Sequence, residues 1–228
     1  MRKYPDSHQA LEGRFALSGA TVIDVGCGNG DTVRWLAARG AGAIGLDSRD
    51  MLARASAYPM VGGESYREGG GQRLPFPDEN ADVILYLASL HHVPVDLMPD
   101  AARECRRALK PDGRAVFVEP VYRAGAYSEL TRLVDDESIM LERAQAAIVS
   151  LAGAPMEMEH EEIFYLERSF ADYERLVDLF VADAERRASI LAAARGITEQ
   201  YSAAAGLDPA DFRFRSICRL NILRKTAS

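Results

Sequence analysis

The chain has 228 residues, 48% hydrophobic and 27% charged, with 27 basic against 34 acidic side chains and a formal net charge of −7. This is the composition of a single globular domain able to bury its own core, and its sign argues against strong non-specific binding to nucleic acid, which depends on neutralising phosphates. No apolar run is long enough for a membrane span, Cys27, Cys105 and Cys218 have neither metal-type nor disulfide spacing, and Met1–His8 lacks a signal-peptide core, so a cytoplasmic location is expected.

Residues 1–20 read as a short helical or irregular arm. Thr21–Val25 then predicts a strand, and Asp31–Arg39 a helix with Trp35 and Leu36 facing inward. Ala43–Leu46 predicts a second strand ending at Asp47, followed by a helix over Arg49–Ala57. A weak third strand starts at Tyr66 and is obscured by Gly69-Gly70-Gly71. Ala81–Leu87 is a strongly apolar fourth strand; Asp96–Leu109 predicts a helix stopped by Pro111 and Gly113; Arg114–Val118 predicts a fifth strand ending at Glu119. Beyond Pro120, Ala126–Leu151 reads as helix and Glu161–Leu166 as a strand. Ser169 or Asp172 would cap a further helix through Leu179 and on to Ala194, and Phe212–Leu223 would be a terminal strand. Strands alternating with helices imply a largely parallel sheet covered on both faces, with ligands beyond the carboxyl ends of its strands. That rule gathers Gly26–Gly30, Asp47, the Gly70 region, Ser89–His92 and Glu119 on one rim.

The segment Val22–Thr32 carries an acid, Asp24, and then Gly26, Gly28 and Gly30 at every second position. Glycines at this spacing let backbone approach a ligand. A dinucleotide fingerprint needs G-x-G-x-x-G, and Asp31 stands where its third glycine belongs. G-x-G-x-G after an acidic strand instead resembles motif I of the class I S-adenosylmethionine (SAM) methyltransferases. The resemblance continues through Gly45-Leu46-Asp47 with Met51, Leu74-Pro75-Phe76-Pro77-Asp78 with Ala81-Asp82-Val83-Ile84, Leu90-His91-His92-Val93, and Arg103-Glu104 through Arg107 to Leu109-Lys110-Pro111-Asp112-Gly113. These segments, over about residues 21–120, are similar to the methyltransferase type 11 group, which includes the ubiquinone and menaquinone C-methyltransferases.

The resemblance implies a Rossmann-like α/β fold with a mostly parallel seven-stranded sheet, helices on both faces and an inserted helical cap. It divides a single domain into an arm (1–20), a SAM-binding core (21–120), a cap (121–207) and a returning strand (208–228). Gly26, Gly28 and Gly30 would wrap the methionine part of SAM, and Cys27 would contribute its carbonyl. Asp24 would orient the amino group or simply tie down the loop. Asp47 would accept the ribose hydroxyls or cap the following helix. Met51 would pack on adenine or belong to the core, and Ser48, Gly71, Gln72 and Leu90 complete the cofactor set. Relatives often carry an adenine-binding Asp where this chain has Gly70, so that contact falls to backbone, Gln72 or Glu68.

The implied activity is methyl transfer to a small-molecule acceptor, leaving S-adenosylhomocysteine. His91 and Glu119 are the candidate catalytic groups by position, with His92 read as scaffold. Tyr4, His8 and the cap from Tyr122 to about Leu207 would select the acceptor. A SAM-binding protein without transferase activity, an RNA-nucleoside methyltransferase and an NAD-dependent dehydrogenase are the competing readings; the missing third glycine counts against the last. The acidic run Met156–Glu162 reads as a solvated loop or strand edge rather than a metal site. Phe164, Tyr165, Phe170, Tyr173 and Phe180 read as core more than as pocket lining. A monomer or homodimer is expected.

Overall fold

The computed structural model describes residues 1–153 and 155–226. In chain order the elements begin with β1 (Arg2–Tyr4), α1 (Ser7–Leu11), β2 (Thr21–Val25), α2 (Asp31–Ala37), β3 (Gly42–Asp47) and α3 (Arg49–Ala55). They continue with β4 (Glu64–Glu68), β5 (Ala81–Leu87), α4 (Met98–Ala108), β6 (Leu109–Pro120), α5 (Ala126–Val134) and α6 (Ser138–Leu151). The last are β7 (Met156–Arg168), α7 (Phe170–Phe180), α8 (Ala184–Ala205) and β8 (Phe214–Lys225).

These elements form two compact units, each discontinuous in sequence. The larger comprises Asp6–Glu119, Met140–Glu162 and the chain from Arg219 onward; the smaller comprises Met1–Pro5, Pro120–Ile139 and Ile163–Cys218. In the larger unit the strand order is β7-β8-β6-β5-β2-β3-β4. Its pairings β2 with β3, β2 with β5, β3 with β4 and β5 with β6 are all parallel. The central strand β5 is apolar from Val83 onward because both its faces are covered there, and Ile84, Leu85 and Tyr86 are fully buried. The core of this unit joins Ile23, Leu46, Ile84, Tyr86 and Phe117 to Ala101 and Cys105 of α4 and Ile148 of α6.

In the smaller unit β1 pairs in parallel with the second half of β7, Arg2 opposite Phe164 and Tyr4 opposite Leu166. It is an eighth strand, where seven were expected. It was hidden because three residues ending in a buried Tyr4 carry too little pattern to read. A separate core joins Ala126 and Leu130 of α5 to Tyr173 and Val177 of α7, Ile190 and Ala194 of α8, and Phe214.

Three expected elements come out differently. Ala126–Leu151 is two helices, because Asp135-Asp136-Glu137 put acids where the negative end of the α5 dipole lies, Asp135 is extended, and Asp136 accepts from Ser138 N. The helix expected through Ala194 breaks after Phe180, and Asp183 starts α8 by accepting from Arg186 N at 2.7 Å. Ser169 and Asp172 both cap α7, in a reciprocal capping box. Finally, α4 begins only at Met98, after a 3-10 turn at Val95–Leu97, and stops at Ala108. Pro111 steers the residue before it to extended backbone, so Leu109 passes straight into β6.

Candidate active site

The candidate site lies in the larger unit, at the carboxyl ends of β2, β3, β5 and β6. Parallel register sets these ends side by side, Val25 opposite both Leu46 and Tyr86, and Leu87 opposite Val118. The glycine loop leaves β2 with Gly26 N and Cys27 N donating to Leu46 O at 2.8 and 3.2 Å. Gly30 N closes it on Cys27 O at 2.9 Å. Gly26 and Gly30 have φ of +75° and +80°, and both are crowded: a Cβ on Gly26 would lie 2.5 Å from Ser89 Cβ, one on Gly30 2.5 Å from the Tyr66 hydroxyl. Gly28, with φ of +57°, is uncrowded: a Cβ there would only touch Met51 Cε, at 3.7 Å.

Two carboxylates stand beneath this loop. Asp24, within β2, is 1% exposed, and its Oδ1 has no hydrogen-bond partner. Burial, and secondarily the charge of Asp47, push its pKa up to about 7. Asp47 Oδ2 accepts from Gly28 N at 2.8 Å and Oδ1 from Ser48 N at 2.7 Å. Asp47 therefore does not cap α3; Ser48 holds that position, without a side-chain bond. Cys27 is buried, and burial followed by the charge of Asp24 raises its thiol well above the usual range. That leaves its carbonyl as its polar contribution.

The turn after β4 is fixed at both ends. Gly69 N donates to Asp47 O at 3.1 Å, and Tyr86 donates its hydroxyl to Gly71 O at 3.4 Å. Glu68 points its charge elsewhere, to Arg49 at 3.3 Å. The Leu74–Asp78 segment is fastened to α4: Arg107 donates to Phe76 O, Leu74 O and Asp78, and Glu104 accepts from Leu74 N at 2.8 Å. Hydrogen bonds from Arg107 hold Glu104 below its ordinary pKa.

At the end of β5 the chain makes a tight bend. Ala88 has φ of +53°, a conformation that costs a non-glycine residue energy and recurs at functional sites. Ser89 donates its hydroxyl to Val25 O at 2.5 Å, and Leu90 is fully buried. Glu119, 3% exposed, accepts from Ser89 N and Leu90 N through Oε1, at 3.2 and 2.8 Å, and pairs through Oε2 with His91 Nδ1. Its two oxygens thus serve three donors. His92 is exposed, its ring 4.1 Å from that of His91. The sequence places Ser89 on the rim but gives neither it nor Tyr66 nor Tyr86 a role, since only the packing reveals that each stands against a glycine.

The expected acceptor-selecting residues of the arm have packing partners. Tyr4 is buried edge-on to Phe164 at 5.2 Å in the smaller unit. In the larger unit, His8 reaches Thr32 Oγ1 at 3.1 Å and stacks on Trp35. Trp35, expected to face the core, is half-buried between His8 and Arg39. Phe164 and Tyr173 are core residues, whereas Phe180 is 58% exposed. The acidic run is part of β7, and its acids have partners: Glu159 with Arg114, Glu161 with Asn221, Glu162 with Arg14 and Glu157 with Arg224.

Residues 23–117 match the model of a methyltransferase domain. Over 114 residues the chain is 35% identical to a ubiquinone biosynthesis O-methyltransferase of Pseudomonas savastanoi pv. phaseolicola, covering 47% of each protein. The chain thus spans about half the length of this curated relative. The YcgJ protein from Bacillus subtilis superposes with a TM-score of 0.66 at 21% identity, over 96% of this chain and 98% of that one. An S-adenosylmethionine-dependent methyltransferase from Mesorhizobium loti gives 0.56 at 20%, over 95% and 96%. At such identities the likeness is one of fold; the sequence match, over residues 23–117, is to the methyltransferase type 11 group of class I, SAM-dependent methyltransferases.

Proposed function

We propose that this protein transfers a methyl group from SAM to a small-molecule acceptor, leaving S-adenosylhomocysteine. The observation that carries the reading is the pair Asp24 and Asp47 at the glycine loop, one with a buried, unbonded oxygen. Two carboxylates repel a phosphate and suit a cation, so the loop fits an amino-acid nucleoside with a charged amino group better than a pyrophosphate. Arg34, on the neighbouring helix, is already engaged with Asn29 O and Asp31. Asp24 would hold the amino group, Asp47 the ribose hydroxyls, and the glycine loop the methionine part. When bound, the SAM sulfonium supplies an already activated methyl group.

The chain's remaining task is to place the acceptor and manage its proton. The relative's name specifies an O-methyltransferase; a hydroxyl acceptor carries a proton on the attacking oxygen, which a base must remove. His91 is the side chain suited to that near neutral pH. Glu119 takes its Nδ1, which fixes the tautomer and leaves Nε2 as the basic nitrogen. With both its oxygens engaged, Glu119 positions His91 and the bend beneath it. The acidic net charge supports a small metabolite over RNA.

Calorimetric titration of the full chain with SAM, S-adenosylhomocysteine and NAD tests the cofactor. Micromolar or tighter binding of the first two and none of NAD is expected, and the reverse would overturn the reading. Release of S-adenosylhomocysteine across a panel of phenols and other hydroxylated metabolites tests the transfer. Tight SAM binding with no turnover on any acceptor would favour a SAM-binding protein without activity.

A further inference from the structure

The turn that follows β4 contains a glycine, Gly70, whose consequence is visible in the packing. Gly70 is not among the residues with positive φ, so its backbone would accept any side chain. What a side chain would meet there is Gln72: a Cβ on Gly70 would lie 2.5 Å from Gln72 Oε1 and 3.0 Å from Nε2. The carboxamide is folded back over the glycine. Arg73 N donating to Gly70 O at 3.3 Å closes the turn beneath it. The turn itself is rigidly placed, Gly69 on the Asp47 carbonyl and Gly71 against Tyr86, where a Cβ would come within 2.7 Å of the hydroxyl.

Position along the rim gives this amide a task. The glycine loop follows β2, Asp47 ends β3, and Gly70–Arg73 follows β4, the next strand in the sheet. An elongated nucleoside with its amino-acid end on the first and its ribose on the second has its base over the third. We propose that the Gln72 carboxamide, lying in the space that Gly70 leaves free, reads the edge of the cofactor's base and accepts a 6-oxo purine nearly as well as a 6-amino one. The inference rests on the SAM reading above.

Hydrogen-bond chemistry makes the difference. An amide has an acceptor oxygen and a donor nitrogen that a half-turn of its last torsion interchanges. Adenine offers a donor at its 6-position and an acceptor at N1; hypoxanthine offers the opposite. Gln72 can satisfy either edge. A carboxylate only accepts, so it would match the 6-amino group and oppose a 6-oxo group.

The test is calorimetric titration of the full chain with S-adenosylhomocysteine and S-inosylhomocysteine, for the wild type, Gln72→Ala and Gly70→Asp. Gln72 is exposed, so its replacement leaves the fold intact, which thermal melting checks. The wild type should bind the two within about tenfold, on the scale of one hydrogen bond. Gln72→Ala should weaken both by roughly three- to tenfold. Gly70→Asp, which displaces the amide and supplies an acid, should widen the preference for adenine by at least about tenfold. Unchanged affinities in Gln72→Ala, or a wild-type preference as wide as that of Gly70→Asp, would overturn the inference and leave the SAM reading standing. Failure of the wild type to bind S-adenosylhomocysteine at all would overturn both.

Discussion

Asp24 is a carboxyl group shut away from water with one oxygen unbonded and a second carboxylate as neighbour. In the fold it titrates near 7, against an ordinary value of 3.8. The folded state therefore favours the protonated form. Its contribution to stability is complete below about pH 4 and is lost as pH rises through 7. Asp24→Asn should raise the melting temperature of the ligand-free protein at pH 8 and leave it nearly unchanged at pH 4. A cationic amino group needs the ionised form. Cofactor binding should then tighten as pH rises towards 7 and release a proton below it, read by calorimetry in buffers of different ionisation enthalpy. In Asp24→Asn the proton release should vanish and the affinity fall. Asp47→Ala should cost S-adenosylhomocysteine binding about 1.5–3 kcal/mol, the scale of hydrogen bonds to a charged group. His91→Ala should lower kcat by roughly 10²–10⁴, the usual worth of a positioned base, with unchanged S-adenosylhomocysteine affinity. Glu119→Gln should instead shift the pH profile, because it perturbs the imidazole without removing it.

Elements were legible in proportion to their burial. β2 and β5 lie where the apolar runs predict, because a central parallel strand needs a continuous hydrophobic stretch. A helix break was hidden where a short polar run reads equally as a solvated helix face: only the acids at 135–137 and the different cores on either side separate α5 from α6. The candidate site divides in the same way. Gly26, Gly28, Gly30 and Asp47 could be read from spacing, because the backbone itself requires them. Ser89 against Gly26, Tyr86 against Gly71 and Gln72 over Gly70 depend on distances between separate elements, which no local pattern encodes. The α7 cap lies between these cases: both halves of its box were visible, but not that they act together. Ser169→Ala should cost about 0.5–2 kcal/mol in urea unfolding.

On the scale of the whole molecule, each unit is assembled from separate stretches of chain, so neither can be isolated by a single truncation. Every residue assigned to the cofactor lies in the larger unit, which also holds Trp35, the protein's one tryptophan. Its fluorescence therefore reports on the unit to which SAM binding is assigned. S-adenosylhomocysteine at about a hundred times its Kd should stabilise that unit by roughly 2.7 kcal/mol. The expected result is a fluorescence-monitored unfolding curve displaced to higher denaturant, and a curve that does not move would place the ligand elsewhere. The fold shared with the two solved structures is silent on the acceptor.

The acids of β7 have a meaning beyond neutralised charge. A strand held only by its apolar face can slip by two residues and still bury it. In β7, Glu157, Glu159, Glu161 and Glu162 each meet a different basic or amide side chain, contributed by α1's flank, β6 or β8. After such a slip every acid would face a partner meant for another position. The acidic run is a lock with several pins, and it favours one alignment of the strand in the sheet.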